Sequence, residues 1–404
     1  MTQSCRSCGG ELEIVLDLGL TPLANSLLDA EQLDRPEPRF PLRLAFCKDC
    51  ALAQLVESVP PEALFSEYLY FSSFSDTMVR SAGELVGRLV RDRGLGPTSL
   101  AMEVASNDGY LLRHYLDLAV PVLGIEPARN VAATARQAGI DTISEFFGRD
   151  LAIRLRAQGR LADVVHANNV VAHVPDLNGL FEGFETVLKP DGLVIIEVPH
   201  VLEMVKHLEF DTIYHEHVFY FSLSALLPVF ARSGLRVVDA ERLPLHGGSL
   251  RIFGSRHGGP SARVHALLAE ERSAGVDRLD FYRDFSGRVA ELGRRLSALL
   301  RERRDAGDRV AAYGASAKGS TLLNFFGIGG ETIDFVVDRS TVKQGLVTPG
   351  THLPILPPEA LLAKMPESVL LLTWNFADEI LEQQREYRER GGRFIVPVPE
   401  PRLL

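Results

Sequence analysis

Apolar and polar positions follow two rhythms along this chain, and the change of rhythm marks its parts. In residues 1–60, ELEIVLDLG and FPLRLAFC read as strands. Between them lies LTPLANSLLD, an apolar turn punctuated by Pro22 and Asn25. Pro60-Pro61 ends this lobe, because neither residue continues a helix or a central strand. Ser66 to Thr77, SEYLYFSSFSDT, mixes aromatics with hydroxyls and has no period. It reads equally as a packed connector and as a pocket wall built from Tyr70, Ser72 and Ser73. A helix is expected from about Met78 to Arg93.

From Thr98 the rhythm becomes strand, turn, helix, repeated. SLAMEVASNDGYLLRHY, PVLGIEPARNVAATARQAG and ADVVHANNVVAHVPDL carry it, followed by GLVIIEVPH after the turn LKPDG. Short apolar runs alternating with helices predict a doubly wound α/β sheet. Such sheets bind ligands at the carboxyl ends of their strands, here Glu103 to Gly109, Glu126, Asn168, Asn169 and Pro199-His200. Next, LHGGSLRIFG holds a tight turn at Gly247-Gly248, either a hairpin or a backbone that approaches a ligand at His246. RVAELGRRLSALLRERR has helical spacing and a basic face that solvent would cover. A second α/β unit begins at Asp308, with RVAAYGASAKGSTLLNFFGI, IDFVVDRS, SVLLLTWNF and RFIVPVP. Three parts are expected: a lobe over 1–65, a Rossmann-like domain over 66–260 and a second Rossmann-like domain over 261–404.

Charge and cysteines narrow the chemistry. The formal net charge of −10 disfavours nucleic acid and anionic lipid as partners. No apolar run reaches the ~18 residues that a membrane helix needs. MTQSCRSCGG has no secretory h-region, so a cytoplasmic protein with reduced thiols is expected. Cys5 with Cys8, and Cys47 with Cys50, form two C-x-x-C knuckles. Two knuckles complete a four-thiolate zinc site with no open position, hence a structural one. A redox dithiol is the weaker reading, because the pairs match and neither lies in a βαβ pattern.

Tyr214-His215-Glu216-His217, inside FDTIYHEHVFYFS, concentrates acid–base groups. It reads as a catalytic cluster, a metal site or a polar turn, and the cysteines give a metal the better home. Flanking turns offer ligand sites. Ser106-Asn107-Asp108-Gly109 is not G-x-G-x-x-G, and Glu103 and Asp108 beside it favour a cationic ligand over a pyrophosphate. Glu126, before Pro127, is either a ribose acceptor or a solvated glutamate. Gly314 to Gly319 with Lys318 is either a phosphate cradle or a plain helix start, without Walker spacing.

Taken together, the knuckles CRSCG and CKDC, LDLGLTPLANSLL, YLYFSSFSDT, EVASNDGYLL, GIEPARNVA, ANNVVAHVPDLN, FDTIYHEHVFYFS, HGGSLR, YGASAKGSTLLN and KQGLVTPGTHLPI resemble the sugar-nucleotide C-methyltransferases, in that family's order from Cys5 to about Pro399. The resemblance implies a zinc lobe, a class I S-adenosylmethionine-binding domain and a C-terminal domain that holds a nucleotide-sugar. It implies C3 methylation of a thymidine-diphospho-4-keto-6-deoxy sugar. His217 is then the expected base, with Glu216, Tyr214 and Tyr70 (or Tyr68) around it. Glu103, Ser106, Asn107, Asp108, Gly109, Glu126, Pro127, Asn168 and Asn169 are expected to hold the cofactor. Ser73, His246, Lys318 and Lys343 are candidates for the sugar nucleotide. A monomer acting on a small molecule is expected. The competing readings are a methyltransferase for another acceptor, a nicotinamide-dependent sugar oxidoreductase, and a zinc-ribbon binding module with degenerate enzyme domains.

Overall fold

The computed structural model describes residues 3–60, 64, 72–245 and 247–404. Its strands form three sheets. The first is N-terminal: β1 (Leu12–Thr21), β2 (Phe40–Cys47) and β3 (Ala53–Leu55) run antiparallel in that order. Helix α1 (Asp76–Arg93) follows, capped by Ser75, whose side chain accepts from the Met78 amide, and ended by Gly94 in the left-handed region.

The middle of the chain then alternates. The order is β4 (Ala101–Val104), α2 (Leu112–Asp117), β5 (Val122–Ile125), α3 (Arg129–Gln137), β6 (Thr142–Ile143), α4 (Arg149–Ala157), β7 (Ala162–Asn168), α5 (Leu177–Val187), β8 (Leu188–Pro199) and α6 (Val201–Lys206). After α6 come β9 (Phe219–Tyr220), α7 (Leu223–Arg232), β10 (Arg236–Leu243), β11 (Ser249–Ser255) and α8 (Ala262–Ala274). The seven-stranded sheet has order β10-β11-β8-β7-β4-β5-β6. Its strands β6, β5, β4, β7 and β8 are parallel, whereas β11 runs antiparallel to both β8 and β10. This is the class I methyltransferase arrangement. Gly247 and Gly248, both at positive φ, close the β10–β11 hairpin.

Helix α9 (Leu279–Asp305) leads into the last sheet. That unit holds β12 (Val310–Tyr313), α10 (Ala317–Phe326), β13 (Val336–Val337), β14 (Ile355–Leu356), α11 (Ala360–Lys364), β15 (Ser368–Leu371), α12 (Ala377–Gln383), α13 (Arg385–Glu389), β16 (Arg393–Val396) and β17 (Arg402–Leu403). Its strand order is β14-β13-β12-β15-β16-β17, parallel except for β17. Among the described residues, no helix is long and apolar enough to cross a membrane.

The basic face of α9 is solvated as its sequence suggests, but the opposite face does more than close one domain. Tyr282, Phe285, Val289, Leu292 and Leu296 recur at helical spacing and are buried. They share one apolar cluster with Val15, Leu16, Leu44 and Phe46 of the N-terminal sheet and with Val310, Leu322 and Leu370 of the last unit. The N-terminal lobe therefore has no separate core. Strand β9 extends its sheet by pairing antiparallel with β3.

Four sulfur atoms anchor that lobe. The Sγ atoms of Cys5, Cys8, Cys47 and Cys50 all lie within 4.8 Å of one another. Cys5–Cys50 is 3.6 Å and Cys8–Cys47 is 3.4 Å, near the roughly 3.8 Å edge of a tetrahedron with Zn–S of about 2.3 Å. The Gln54 side-chain amide donates to Cys5 Sγ at 3.0 Å and the Gly10 amide to Cys8 Sγ at 3.4 Å, the donors that thiolates require. The donor set fits zinc. Elemental analysis of the purified protein is expected to find about one zinc per chain. Cys47→Ser should lose that zinc and lower the unfolding midpoint. Well-folded protein free of zinc would exclude the site.

Candidate active site

The three sheets meet at a cavity of about 750 Å³. Asn25 enters it from the N-terminal lobe, and Glu126, Asn168, Asn169 and His173 come from the rim of the seven-stranded sheet. Lys318, Thr373 and Asn375 come from the last unit. The segment 209–221 crosses between them with little regular structure of its own. Beyond a few turns of its own, its backbone groups are satisfied from outside. Leu55 N donates to Val218 O at 2.7 Å, Val218 N to Ala172 O at 2.7 Å, and Thr321 Oγ1 to Ile213 O at 3.2 Å. Trp374 Nε1 adds a bond to Asp211 Oδ2 at 2.7 Å.

This stitching fixes the tetrad. His217 Nδ1 lies 2.8 Å from the Thr212 carbonyl, which can only accept, so the proton sits on Nδ1. Nε2 is then the acceptor, and the Tyr214 hydroxyl donates to it at 3.0 Å. The two ring centroids lie 4.1 Å apart, with the planes tilted by 36°. Glu216 is buried and accepts from the Asn25 side-chain amide at 2.6 Å. Burial raises its pKa, and the Asn25 bond works against that rise. His215 faces the other way: Nε2 reaches the Pro41 carbonyl at 3.3 Å and its ring meets Phe40 edge-on. It is an anchor to the N-terminal lobe.

Three further groups stand at the cluster that were not among the site residues expected from the chain. His173 donates from Nδ1 to the Glu216 carbonyl at 2.7 Å, and its ring lies 4.9 Å from that of His217. Burial lowers its pKa, which keeps it neutral. Asn25 stood in a turn that looked purely structural. Glu209 lines the cavity, is buried, and has its pKa pushed up to about 7 by desolvation, opposed by Lys318. Only the position of His173 just beyond a predicted strand end could have flagged it.

Among the expected cofactor residues, Asn107, Glu126, Pro127, Asn168 and Asn169 line the cavity. Glu126 accepts from the amides of Asn107 at 2.9 Å and Ala128 at 2.8 Å, which leaves lone pairs for further donors. Glu103, Ser106, Asp108 and Gly109 are not in the cavity wall. Glu103 is fully buried, and repulsion from Glu126, Glu197 and Asp108 adds to desolvation in raising its pKa. Glu103 Oε2, Ser106 Oγ, Asp108 Oδ1 and Asn168 Oδ1 are buried without a partner. Of these, only Asn168 also lines the cavity.

Of the sugar-nucleotide candidates, Lys318 stands in the wall, its ammonium 4.6 Å above the Trp374 ring. Lys343 does not: its ammonium is taken by the Ala315 carbonyl at 2.8 Å and by Asp338 at 3.8 Å. Ser72 rather than Ser73 lines the cavity. Tyr70, Tyr68 and His246 lie outside the described residues.

The shift at Glu209 has a consequence for stability. Its folded pKa of about 7 exceeds the ordinary glutamate value, so the unfolded chain loses this proton first. The native state is then penalised progressively as pH rises from about 4.5 to 7, and constantly above. Glu209→Gln should therefore leave urea stability unchanged at pH 4 and raise it above pH 7. An equal effect at both pH values would refute the buried, proton-holding carboxyl.

A zinc binding domain model matches residues 5–65, a methyltransferase domain model 85–240 and a C-methyltransferase C-terminal domain model 244–399. The C-methyltransferase NovU of Streptomyces niveus is 38% identical over 409 aligned residues, spanning 99% of this chain and 96% of the relative. Solved structures align more loosely. A magnesium protoporphyrin IX methyltransferase from Synechocystis, with bound S-adenosylmethionine, is 12% identical over 44% of this chain and 79% of its own, with a TM-score of 0.35. An S-adenosylmethionine-dependent methyltransferase from Clostridium acetobutylicum is 11% identical over 45% and 92%, with a TM-score of 0.37. The chain belongs to the C-methyltransferase family, as an S-adenosylmethionine-dependent methyltransferase with an N-terminal zinc-binding domain.

Proposed function

We propose that this chain methylates C3 of a thymidine-diphospho-4-keto-6-deoxyhexose, 2,6-dideoxy in its preferred form, by way of an enolate. The observation that supports this most is the His217 tautomer. A carbon acceptor must first lose a proton, and a 4-keto group acidifies the hydrogen on C3 by conjugating the resulting charge. The base must present an unprotonated nitrogen on the cavity wall. His217 Nε2 meets these needs, with Nδ1 held at 2.8 Å by Thr212 O.

The Tyr214 hydroxyl lies 3.0 Å from that nitrogen, a separation that suits two groups serving adjacent atoms. On substrate binding the phenol turns from Nε2 to the 4-oxygen, and the nitrogen is freed for the proton on C3. Tyr70 is the second candidate donor to that oxygen. A preorganised donor at a developing oxyanion is worth roughly 3–4 kcal/mol of barrier. Glu216 orients the sugar and offsets the charge that appears on His217. His173 supports the tetrad backbone from below through its bond to Glu216 O.

S-adenosylmethionine supplies the electrophilic methyl group. Glu126 accepts from its ribose hydroxyls, while Asn168 and Asn169 hold its amino-acid portion. Ser316, Ala317 and Lys318, at the start of α10, face the sugar diphosphate. The Ser316 hydroxyl already caps that helix, accepting from Gly319 N at 3.1 Å.

His217→Asn should abolish turnover of labelled S-adenosylmethionine with this keto sugar while leaving cofactor affinity within about twofold, since the residue makes no uniform binding contact. Near-normal turnover would remove His217 from the base role. Product formed with the original C3 hydrogen retained would rule out the enolate.

A further inference from the structure

The cavity has a third wall that zinc chemistry does not explain. Asn25 sits in the loop between β1 and β2, open on the cavity it lines. Its side-chain amide donates to Glu216 Oε1 at 2.6 Å, a bond that joins positions 191 residues apart. We propose that Asn25 is a positioning residue for methyl transfer: it holds the Glu216 carboxyl group in place, so the N-terminal lobe completes the catalytic cluster.

The loop is built to hold this position. Leu28 and Val347 exchange both backbone bonds, at 3.1 and 2.9 Å. The Glu37 carboxylate accepts from the Gly350 amide at 2.9 and 3.0 Å and lies 3.3 Å from His352 Nε2. A Cβ at Gly350 would stand 2.0 Å from Asn324 Oδ1 and 3.0 Å from Pro22, so the two loops are packed at the limit of contact. The lobe is thereby clasped to the last unit on one side of Asn25 and clamped by its four cysteines on the other. A carboxyl group in a buried site needs a hydrogen-bond partner. The Asn25 amide is the side-chain hydrogen-bond partner that the structure gives Glu216.

This inference rests on the role given to Glu216 above, and the test separates the two. Asn25→Ala, Asn25→Asp and Glu216→Gln are assayed at pH 8 with labelled S-adenosylmethionine and a thymidine-diphospho-4-keto-2,6-dideoxyhexose, alongside zinc content and cofactor affinity. Asn25→Ala should lower kcat about 10- to 100-fold, the loss of one hydrogen bond to a charged group, with zinc and cofactor binding unchanged. Asn25→Asp should be the worse of the two, because it removes the donor and sets two carboxylates against each other. A role in filling space alone would make the isosteric Asp the milder change, and that order overturns the proposal. So does a near-normal kcat in Asn25→Ala. Wild-type turnover in Glu216→Gln would overturn the role of Glu216 itself, and that of Asn25 with it.

Discussion

Everything at the cavity depends on how residues 209–221 meet their backbone hydrogen-bonding obligations. This stretch has one 3₁₀ turn, at Phe210–Thr212, and a two-residue strand, too little to satisfy itself. A buried peptide group without a partner costs about 1–3 kcal/mol, so the segment borrows partners from three directions. Leu55, Ala172 and Thr321 provide them, one from each major part of the chain. The same bonds decide which way each side chain of the tetrad points. His217 turns to Thr212 O and Tyr214, whereas His215 turns to Pro41.

The second consequence is electrostatic. Glu216, Glu209, Asp211 and Glu126 all have their pKa raised by desolvation, and His173 and His215 have theirs lowered. Burial pushes every one of these groups toward neutrality. Aimed dipoles and one cation answer them: Asn25 for Glu216, two amides for Glu126, and Lys318 for Glu209 and Asp211, the last also bonded by Trp374. A site of neutral imidazole and hydrogen-bonded carboxyl groups suits proton removal from carbon, which is slowed by a strongly solvated base.

Much of this was legible in the chain. The runs around β5, β7 and β8 are rich in Val and Ile because strands covered on both faces leave room for little else. The cysteine spacing announced its own geometry. Two kinds of feature were hidden. Strand β9 is only Phe219–Tyr220 inside an apolar stretch, below the length at which a period can be read. Asn25 and His173 belong to the cluster through bonds spanning 191 and 43 positions, and no local pattern encodes such pairings. Lys343 shows the converse: it was a candidate for the sugar nucleotide, but a carbonyl and a carboxylate nearby had already claimed it. The apolar face of α9 likewise could be read, but not that it would serve two sheets at once.

The shared apolar cluster beneath α9 bears on how such enzymes can be recombined. Exchanging the last unit for that of a relative looks modular on a linear map of matched regions. In three dimensions the cut would run through one packed interior. Any workable graft has to carry the inner face of α9, the loop around Glu37 and the crossing segment as a set, so the unit of inheritance is a seam rather than a domain.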